Sequence, residues 1–235
     1  MKTKISKAMV LAAGFGTRLR PLTNSVPKPL LSMNEKRLID FPLNLLSKHG
    51  ITEVIINIHH LGQMIEDYIE DGRKYGLKVS YSKEEKILGT GGGIKNAEWF
   101  FKKEPFVCIN SDALVNVDLS EVVKKYFDSG CSSLMVVKQF GKDDDYGKID
   151  VDENGYIKSI GNVGSFFYTG VQVVGKSLLD ALPPKGIESC LIEDGYKKLI
   201  AKGERVFTYL YDGYFNDVGT PERYEKAKKD MGSWK

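Results

Sequence analysis

The most informative stretch of the chain lies at residues 11–23 and reads L-A-A-G-F-G-T-R-L-R-P-L-T. An apolar, strand-like run precedes it, and P-K-P-L follows at residues 27–30. The two glycines allow backbone N–H groups to approach phosphate oxygens closely. Arg18 and Lys28 add fixed positive charge of the kind that stabilises phosphoryl transfer. The stretch therefore predicts a reactive site for a triphosphate.

Two common phosphate-binding patterns are not met here. No Gly-Lys-Ser/Thr follows the glycines, so the Walker pattern is excluded. Arg18 and Leu19 stand where the third glycine of the dinucleotide fingerprint would fall. A dinucleotide-dependent oxidoreductase would also need an acidic residue at the end of the second strand, where residues 57–60 read N-I-H-H. The sequence therefore argues against an oxidoreductase.

The composition favours one α/β domain with a substantial core. The 235 residues are 42% hydrophobic, and no linker or repeat is visible, so we expect residues 1–235 to form a single domain. The 34 basic and 31 acidic residues are interspersed and give a net charge of +3, which argues against nucleic-acid or membrane partners. No apolar stretch has the length of a signal core or a membrane span, so we expect a cytoplasmic protein.

The first half of the chain alternates between predicted strands and predicted helices. Continuously apolar strands, typical of a parallel sheet buried on both faces, are predicted at 8–12, 54–58 and 106–110. Amphipathic helices are predicted at 39–48, 63–70 and 119–128. This order predicts a Rossmann-like doubly wound sheet, whose ligands bind beyond the carboxyl ends of the strands. Residues 1–130 are therefore the predicted nucleotide-binding half.

The second half, residues 131–235, is rich in predicted strands. They are expected at 134–138, 148–151, 156–160, 166–174 and 206–211. The D-E-N-G sequence at 152–155 is a hairpin turn signal between two of them. We interpret this region as the acceptor half of one mixed sheet. No repeat pattern of a C-terminal β-helix is present in the sequence.

Two aspartates far apart in sequence form the candidate metal site. Asp112 follows the predicted strand 106–110 and can project into the ligand crevice, and Asp217 lies within Y-F-N-D-V-G-T-P-E at residues 214–222. Mg²⁺ prefers hard oxygen ligands and usually takes one or two carboxylates plus substrate phosphates. A helix cap with proline at the first helical position explains the T-P pair but leaves Asp217 without a role. We therefore predict Asp112 and Asp217 as magnesium ligands.

A third motif, L-G-T-G-G-G-I at residues 88–94, places four glycines in five positions. Such a backbone can lie against a flat base and hydrogen-bond its edge. A flexible surface turn is the simpler alternative. The position of the motif between the phosphate loop and Asp112 favours a base-reading loop.

The combination of G-F-G-T-R at 14–18 with P-K-P-L at 27–30 resembles the signature of the sugar-1-phosphate nucleotidylyltransferases. The resemblance covers nearly the whole chain and includes residues 88–94, 110–112 and 217–224. It implies the nucleotide-diphospho-sugar transferase fold, which is GT-A-like, without the C-terminal β-helix of some relatives. It also implies an enzyme that transfers a nucleotidyl group from an NTP to a sugar 1-phosphate and releases pyrophosphate, with Mg²⁺ as cofactor.

The resemblance assigns roles to individual residues. Arg18 and Lys28 would be catalytic: Arg18 would bind the β- and γ-phosphates and the leaving pyrophosphate, and Lys28 would bridge the phosphates near the reacting centre. Asp112 and Asp217 would hold the metal. The remaining contacts are expected from the phosphate loop, the glycine-rich motif and the end of strand 106–110. The predicted nucleotide-binding residues are Leu11, Ala12, Ala13, Gly14, Gly16, Thr17, Gly89, Gly91, Gly92 and Asn110.

The sugar side is predicted from a weaker likeness. F-Y-T-G-V at residues 167–171 resembles the family segment that contacts the sugar, which implies a role for Thr169 and Gly170, and Glu193 would hold sugar hydroxyls. Many relatives carry Glu-Lys-Pro just before this strand, with the lysine on the sugar phosphate. Here I-G-N-V-G-S stands in its place. Lys148 is one substitute, although a lysine at a strand edge is often only solvated.

Two questions stay open at this point. The sequence is similar to both mannose-1-phosphate guanylyltransferases and N-acetylmuramate-1-phosphate uridylyltransferases, so GTP and UTP are equal candidates alongside a sugar 1-phosphate. The alternative function is a catalytically silent regulatory protein that binds a nucleotide sugar. The presence of Arg18, Lys28, Asp112 and Asp217 favours the active enzyme. Association into a homodimer is left open.

Overall fold

The structure is a computed structural model that describes residues 4–141 and 145–231. Its strands are β1 (Lys7–Leu11), β2 (Ser32–Met33), β3 (Lys36–Arg37), β4 (Glu53–Ile58), β5 (Lys78–Lys83), β6 (Phe106–Asn110), β7 (Leu114–Val115), β8 (Ser133–Gln139), β9 (Lys148–Val151), β10 (Ile157–Gly161), β11 (Phe166–Val174), β12 (Val206–Leu210) and β13 (Phe215–Asn216).

Eight α-helices lie between the strands of the described residues or, in the case of α8, after them. They are α1 (Asp40–Lys48), α2 (Gly62–Ile69), α3 (Gly89–Asn96), α4 (Glu98–Phe101), α5 (Leu119–Ser129), α6 (Lys176–Ala181), α7 (Lys197–Ala201) and α8 (Pro221–Met231). Short 3₁₀ helices lie at Thr17–Leu19, Lys28–Leu30 and Arg73–Tyr75, and a π-helix at Leu191–Tyr196 precedes α7. None of the helices in the described ranges is long and apolar enough to cross a membrane.

One mixed sheet organises the molecule. Its strands follow the order β10-β9-β11-β6-β1-β4-β5, and β8 pairs with both β11 and β12. The strands β6, β1, β4 and β5 are parallel to their neighbours in this group, whereas β11 runs antiparallel to β6 and to β8. The parallel part therefore ends in a shared carboxyl edge, which is where ligands bind in sheets of this type.

Helices cover both faces of the sheet. On one face the core includes Leu46 of α1, Ile65 of α2 and Val122 of α5. On the other face it includes Ile94 of α3 and Leu178 of α6. A third, smaller cluster packs α8 onto the segments beside the carboxyl edge; it contains Leu19, Met33, Leu114, Val218, Tyr224 and Ala227. This smaller cluster fixes α8 next to the cavity described below.

The predicted α/β fold is confirmed, and most elements lie within one or two residues of their predicted bounds. Strands 106–110, 148–151 and 166–174 have the predicted ends. Pro42 lies in the first turn of α1, where its missing N–H costs nothing. One expectation was wrong: residues 88–94, expected to be a loop, are largely the helix α3. The strand β5 was not predicted.

Candidate active site

A cavity of about 340 Å³ opens at the carboxyl ends of β1, β4 and β6. Most of the predicted nucleotide, catalytic and metal residues meet there, although they come from four separate parts of the chain. The predicted residues that line the cavity are Leu11, Ala12, Ala13, Gly14, Gly16, Thr17, Arg18, Lys28, Gly89, Asn110 and Asp112. The parallel strands thus deliver their following residues to one place.

The phosphate loop is a tight turn that Gly16 makes possible. Gly16 has φ of 64°, in the left-handed region that glycine adopts without strain. Its carbonyl accepts hydrogen bonds from the Thr23 hydroxyl at 2.9 Å and from the Leu19 N–H at 2.9 Å. A Cβ atom at Gly16 would lie 3.1 Å from Cβ of Lys28. The loop and the Lys28 segment are therefore packed directly against each other.

Lys28 joins the two predicted metal ligands. Its Nζ donates to Oδ2 of Asp112 and, at 3.3 Å, to the backbone carbonyl of Asp217. The side chains of Lys28 and Asp112 are 12% and 25% exposed, so this ion pair is largely shielded from water. The Asp217 carboxylate accepts from Nη1 of Arg223, at 2.9 Å to Oδ1 and 3.1 Å to Oδ2. One amine thus contacts the carboxylate of Asp112, which lines the cavity, and the backbone of Asp217, which lies beside the cavity but is not one of its lining residues.

The donor set around Lys28 suits a divalent cation. The Asp112 carboxylate and the Asp217 carbonyl, both in contact with Lys28, and the Asp217 carboxylate, in contact with Arg223, are hard oxygen ligands of the kind that Mg²⁺ prefers. Within residues 4–141 and 145–231, no group of three or more His, Cys, Asp or Glu side chains could hold a metal. Substrate phosphates and water would have to supply the other ligands, as is usual for Mg²⁺.

The deep wall of the cavity contains a buried polar pair, Asn57 and Glu84. Asn57 accepts from the N–H of Ala12 at 2.9 Å and donates through Nδ2 to Oε1 of Glu84 at 2.7 Å. Oε2 of Glu84 accepts from the N–H of Leu88 at 2.9 Å. Burial raises the pKa of Glu84, and these hydrogen bonds oppose the rise. The pair ties the phosphate loop to the start of α3.

The glycine-rich motif divides into residues that face the cavity and residues that pack. Gly89 and Thr90 line the cavity, whereas the N–H groups of Gly91 and Gly92 donate to the carbonyl of Ser189 at 2.9 and 3.3 Å. A Cβ atom at Gly91 would lie 2.8 Å from Oγ of Ser189. Gly91 and Gly92 therefore lack side chains because another segment lies against them, and they do not line the cavity.

The three predicted sugar residues are not among those that line the cavity. The hydroxyl of Thr169 is buried and donates to the carbonyl of Val136 at 2.9 Å. Glu193 is exposed and pairs with Lys197 at 2.7 Å. Gly170, with φ of 83°, lies against a lining residue, because its Cβ atom would be 2.9 Å from Nδ2 of Asn110. The sugar-binding role of these three residues stays a prediction.

Comparison with known proteins identifies the family. The family model described as nucleotidyl transferase matches residues 7–233. The chain belongs to the nucleotidyl transferase family. Among solved structures, HddC from Yersinia pseudotuberculosis complexed with GMP-PN has a TM-score of 0.83 at 24% identity, over 97% of this chain and all of that chain. This likeness shows that the two proteins share the transferase fold.

Curated relatives of this transferase differ in base and sugar. The chain is 33% identical to D-glycero-alpha-D-manno-heptose 1-phosphate guanylyltransferase of Campylobacter jejuni, over 93% of the chain and 96% of the relative. It is 32% identical to N-acetylmuramate alpha-1-phosphate uridylyltransferase of Neisseria meningitidis, over 97% of the chain and all of the relative. It is also 32% identical to UTP–glucose-1-phosphate uridylyltransferase of Synechocystis sp., over 94% of the chain, but spans 62% of that protein's length.

Sequence reasoning missed two polar residues of the transferase cavity that lie outside all the predicted motifs, Asn57 and Glu84. Asn57 is the last polar residue of the buried strand β4. The strand end was considered only as the place where a dinucleotide-binding oxidoreductase would carry an acidic residue, and not as a place for a ligand-binding side chain. Glu84 follows β5, which was not predicted. Val79 and Tyr81 alternate with serines, and this pattern predicts a strand. With the strand predicted, Glu84 would have been expected at its carboxyl end.

Proposed function

We propose that the chain transfers a nucleotidyl group from an NTP to a sugar 1-phosphate and releases pyrophosphate. The observation that carries the proposal is the contact of Lys28 with the carboxylate of Asp112, in the cavity, and with the backbone carbonyl of Asp217, beside it. A cation that holds these two acidic residues together next to a glycine loop suits a reaction that gathers phosphate charge and a divalent cation in one place. The family membership and the relatives named above support the same activity.

The proposed reaction is an in-line displacement. A phosphate oxygen of the sugar 1-phosphate forms a bond to the α-phosphorus of the NTP, and the bond between that phosphorus and the oxygen bridging to the β-phosphate breaks. The electron pair leaves with pyrophosphate, and no covalent enzyme intermediate is needed. Such chemistry depends mainly on positioning and charge neutralisation. Arg18 would bind the β- and γ-phosphates, and Lys28 would contact phosphate oxygens at the reacting centre.

Mg²⁺ is the proposed cofactor, and it would supply charge neutralisation at the reacting phosphates. Asp112 and Asp217 would hold it. Lys28 contacts the same two residues, so it keeps them close together before any ligand arrives. The nucleotide would contact the lining residues of the phosphate loop together with Gly89 and Asn110. We leave Gly91 and Gly92 out of this set because their N–H groups are used by Ser189.

The acceptor is proposed to enter from the side of residues 131–235, near Asn110 and Gly170. The relatives named above are guanylyltransferases and uridylyltransferases of different sugar 1-phosphates, so both bases stay in the proposal. We further propose that the protein works in the cytoplasm, where NTPs and sugar phosphates are available, and that residues 1–130 form the nucleotide half of a single domain.

The substrate pair can be found by measuring pyrophosphate release with Mg²⁺. GTP, UTP, CTP, ATP and dTTP would be crossed with mannose, glucose, N-acetylmuramate and heptose 1-phosphates, and with phosphocholine. We expect one strong pair, with GTP or UTP as the nucleotide. Binding of a nucleotide sugar with no pyrophosphate release from any pair would favour a regulatory binding protein instead.

A further inference from the structure

The turn that carries Asp217 is strained. Val218, the next residue, has φ of 43° and is completely buried. A β-branched residue rarely adopts this left-handed conformation, because its Cβ substituents crowd the backbone. Such a conformation persists only where the surrounding structure enforces it, and these positions cluster at functional sites. The contacts that enforce it should therefore indicate which groups the site needs to hold in place.

A side chain on each side of the turn ties it to helix α8. Oδ1 of Asn216 accepts from the N–H of Val218 at 2.8 Å, and its Nδ2 donates to the carbonyl of Arg223 at 3.1 Å. The Val218 side chain packs with Tyr224 and Ala227 of α8 in the smaller core cluster. The turn and the first turn of α8 therefore form one unit.

Arg223 connects this unit to the Asp217 carboxylate. A single nitrogen, Nη1, lies 2.9 Å from Oδ1 and 3.1 Å from Oδ2, and the N–H of Gly219 donates to Oδ1 at 3.3 Å. Because one fixed donor contacts both oxygens, rotation of the carboxylate about its Cβ–Cγ bond is restricted. The side chains of Arg223 and Asp217 are only 27% and 22% exposed, which limits competition from water.

The guanidinium is itself held in place from the other side. Its Cζ lies 4.7 Å from the ring centroid of Tyr146, which in turn stacks on Phe167 with a centroid distance of 4.5 Å. Stacking on an aromatic face is a property of arginine that lysine does not share to the same degree. Arg223 is thus fixed between the predicted metal ligand and a stacked pair of rings, of which Phe167 is buried and Tyr146 half-buried.

We propose that Arg223 is the positioning residue for Asp217: it sets the orientation in which this carboxylate meets the divalent cation. This inference rests on the proposed function, in which Asp217 is a metal ligand. Partners that orient a ligating carboxylate typically contribute a factor of about 10 to 100 in metal affinity or activity. In this proposal Arg223 acts through Asp217 and not on the reacting atoms themselves.

The test measures the affinity of this chain for Mn²⁺. Electron paramagnetic resonance reports the bound and free Mn²⁺, with GTP or UTP present and no acceptor added. We expect Arg223→Gln to weaken Mn²⁺ binding about tenfold or more, while the nucleotide Kd measured in EDTA changes less than threefold. Arg223→Lys should recover little of the loss, because an ammonium group cannot both contact the two oxygens and stack on Tyr146. Arg73→Gln is the matched control, because it removes an exposed Arg–Asp pair away from the cavity.

The outcomes separate the inference from the proposed function. Mn²⁺ binding by Arg223→Gln within twofold of wild type would overturn the inference. Full recovery by Arg223→Lys would also overturn it, since a positive charge alone would then be enough. If Arg223→Gln does not fold, Arg223→Lys alone carries the test. If Asp217→Asn keeps wild-type Mn²⁺ binding and turnover, the metal role of Asp217 in the proposed function fails instead.

Discussion

Residues 1–130, the proposed nucleotide half, differ from residues 131–235, the proposed acceptor half, in how they present polar groups to the cavity. In the nucleotide half, the buried parallel strands end at one edge of the sheet. The residues that follow β1 and β6 therefore meet there because the two strands pair in parallel. In the acceptor half, Thr169 is used within the sheet and Glu193 is paired at the surface. A motif at the end of a parallel strand therefore locates a site more securely than a motif within an antiparallel sheet.

The largest expected effect is at Lys28, on the nucleotide side. Lys28→Ala removes the cation shared by Asp112 and the Asp217 carbonyl, and we expect kcat to fall about a hundredfold, or about 3 kcal/mol in activation free energy. Steady-state pyrophosphate release measures this. Lys95→Ala is the matched control, because Lys95 is similarly shielded and pairs with Glu98 outside the cavity. Activity of Lys28→Ala within twofold of wild type would remove Lys28 from the mechanism.

Gly14 and Gly93, both in the nucleotide half, are expected to respond differently to an added methyl group. At Gly14 the methyl group should affect ligand binding, and at Gly93 it should affect packing. A Cβ atom at Gly14 would meet nothing within 4 Å, so Gly14→Ala should leave the free energy of unfolding unchanged within about 0.5 kcal/mol. We expect its nucleotide KM to rise about tenfold, because the methyl group occupies the path of a phosphate. Chemical denaturation and steady-state kinetics check both values. An unchanged KM would place the phosphates away from Gly14.

Gly93 should behave in the opposite way. Its Cβ atom would lie 2.7 Å from Nδ2 of Asn57 and 2.8 Å from Oε1 of Glu84, so Gly93→Ala overpacks a buried polar pair. We expect a loss of about 1 to 3 kcal/mol in the free energy of unfolding. Urea denaturation is the measurement. Helix propensity alone would make Gly93→Ala more stable than wild type. That result would contradict the close packing of Gly93 against Asn57 and Glu84.

On the acceptor side a smaller effect is expected. Glu193 lies at the surface with Lys197 as its partner, and exposed pairs of this kind contribute little. We expect Glu193→Gln to change the acceptor KM less than threefold. A rise of tenfold or more, with the nucleotide KM unchanged, would show that Glu193 contacts the sugar and that the two proposed halves differ less than the pairing of Glu193 with Lys197 indicates.

The smallest expected effect is a pH dependence at Glu84. Burial raises its pKa above the ordinary 4.5, so the folded state holds the proton more tightly than the unfolded state. The free energy of unfolding should then fall as the pH rises from 4.5 through the folded-state pKa. Glu84→Gln cannot ionise and should lack this fall. Urea denaturation at about pH 5 and about pH 8 compares the two proteins, and equal changes would contradict the prediction.

Particular elements show where sequence reasoning succeeded. The strands β1, β4 and β6 were predicted almost to the residue because they are continuously apolar and buried on both faces. Strand β5 was missed because it lies at the edge of the sheet, where serines and lysines dilute the pattern. Helix α3 was missed because four glycines oppose helix formation, and contacts with Ser189, Asn57 and Glu84 override that preference.

The site could be predicted in part. The motifs identified Arg18, Lys28 and Asp112, which line one cavity. They gave no sign of the contact between Arg223 and Asp217, because this pair forms only when a strained turn and the first turn of α8 come together. Contacts of this kind depend on tertiary packing, which no local sequence pattern encodes.

The central claim is that this cavity transfers a nucleotidyl group to a sugar 1-phosphate, and pyrophosphate release tests it most directly. Release by the best substrate pair would be measured with and without the acceptor, in wild type and in Asp112→Asn. We expect release to require the sugar 1-phosphate, to produce one nucleotide sugar per pyrophosphate, and to fall about a hundredfold in Asp112→Asn. Release at the same rate without acceptor, or undiminished in Asp112→Asn, would contradict the claim that this cavity transfers a nucleotidyl group to a sugar 1-phosphate.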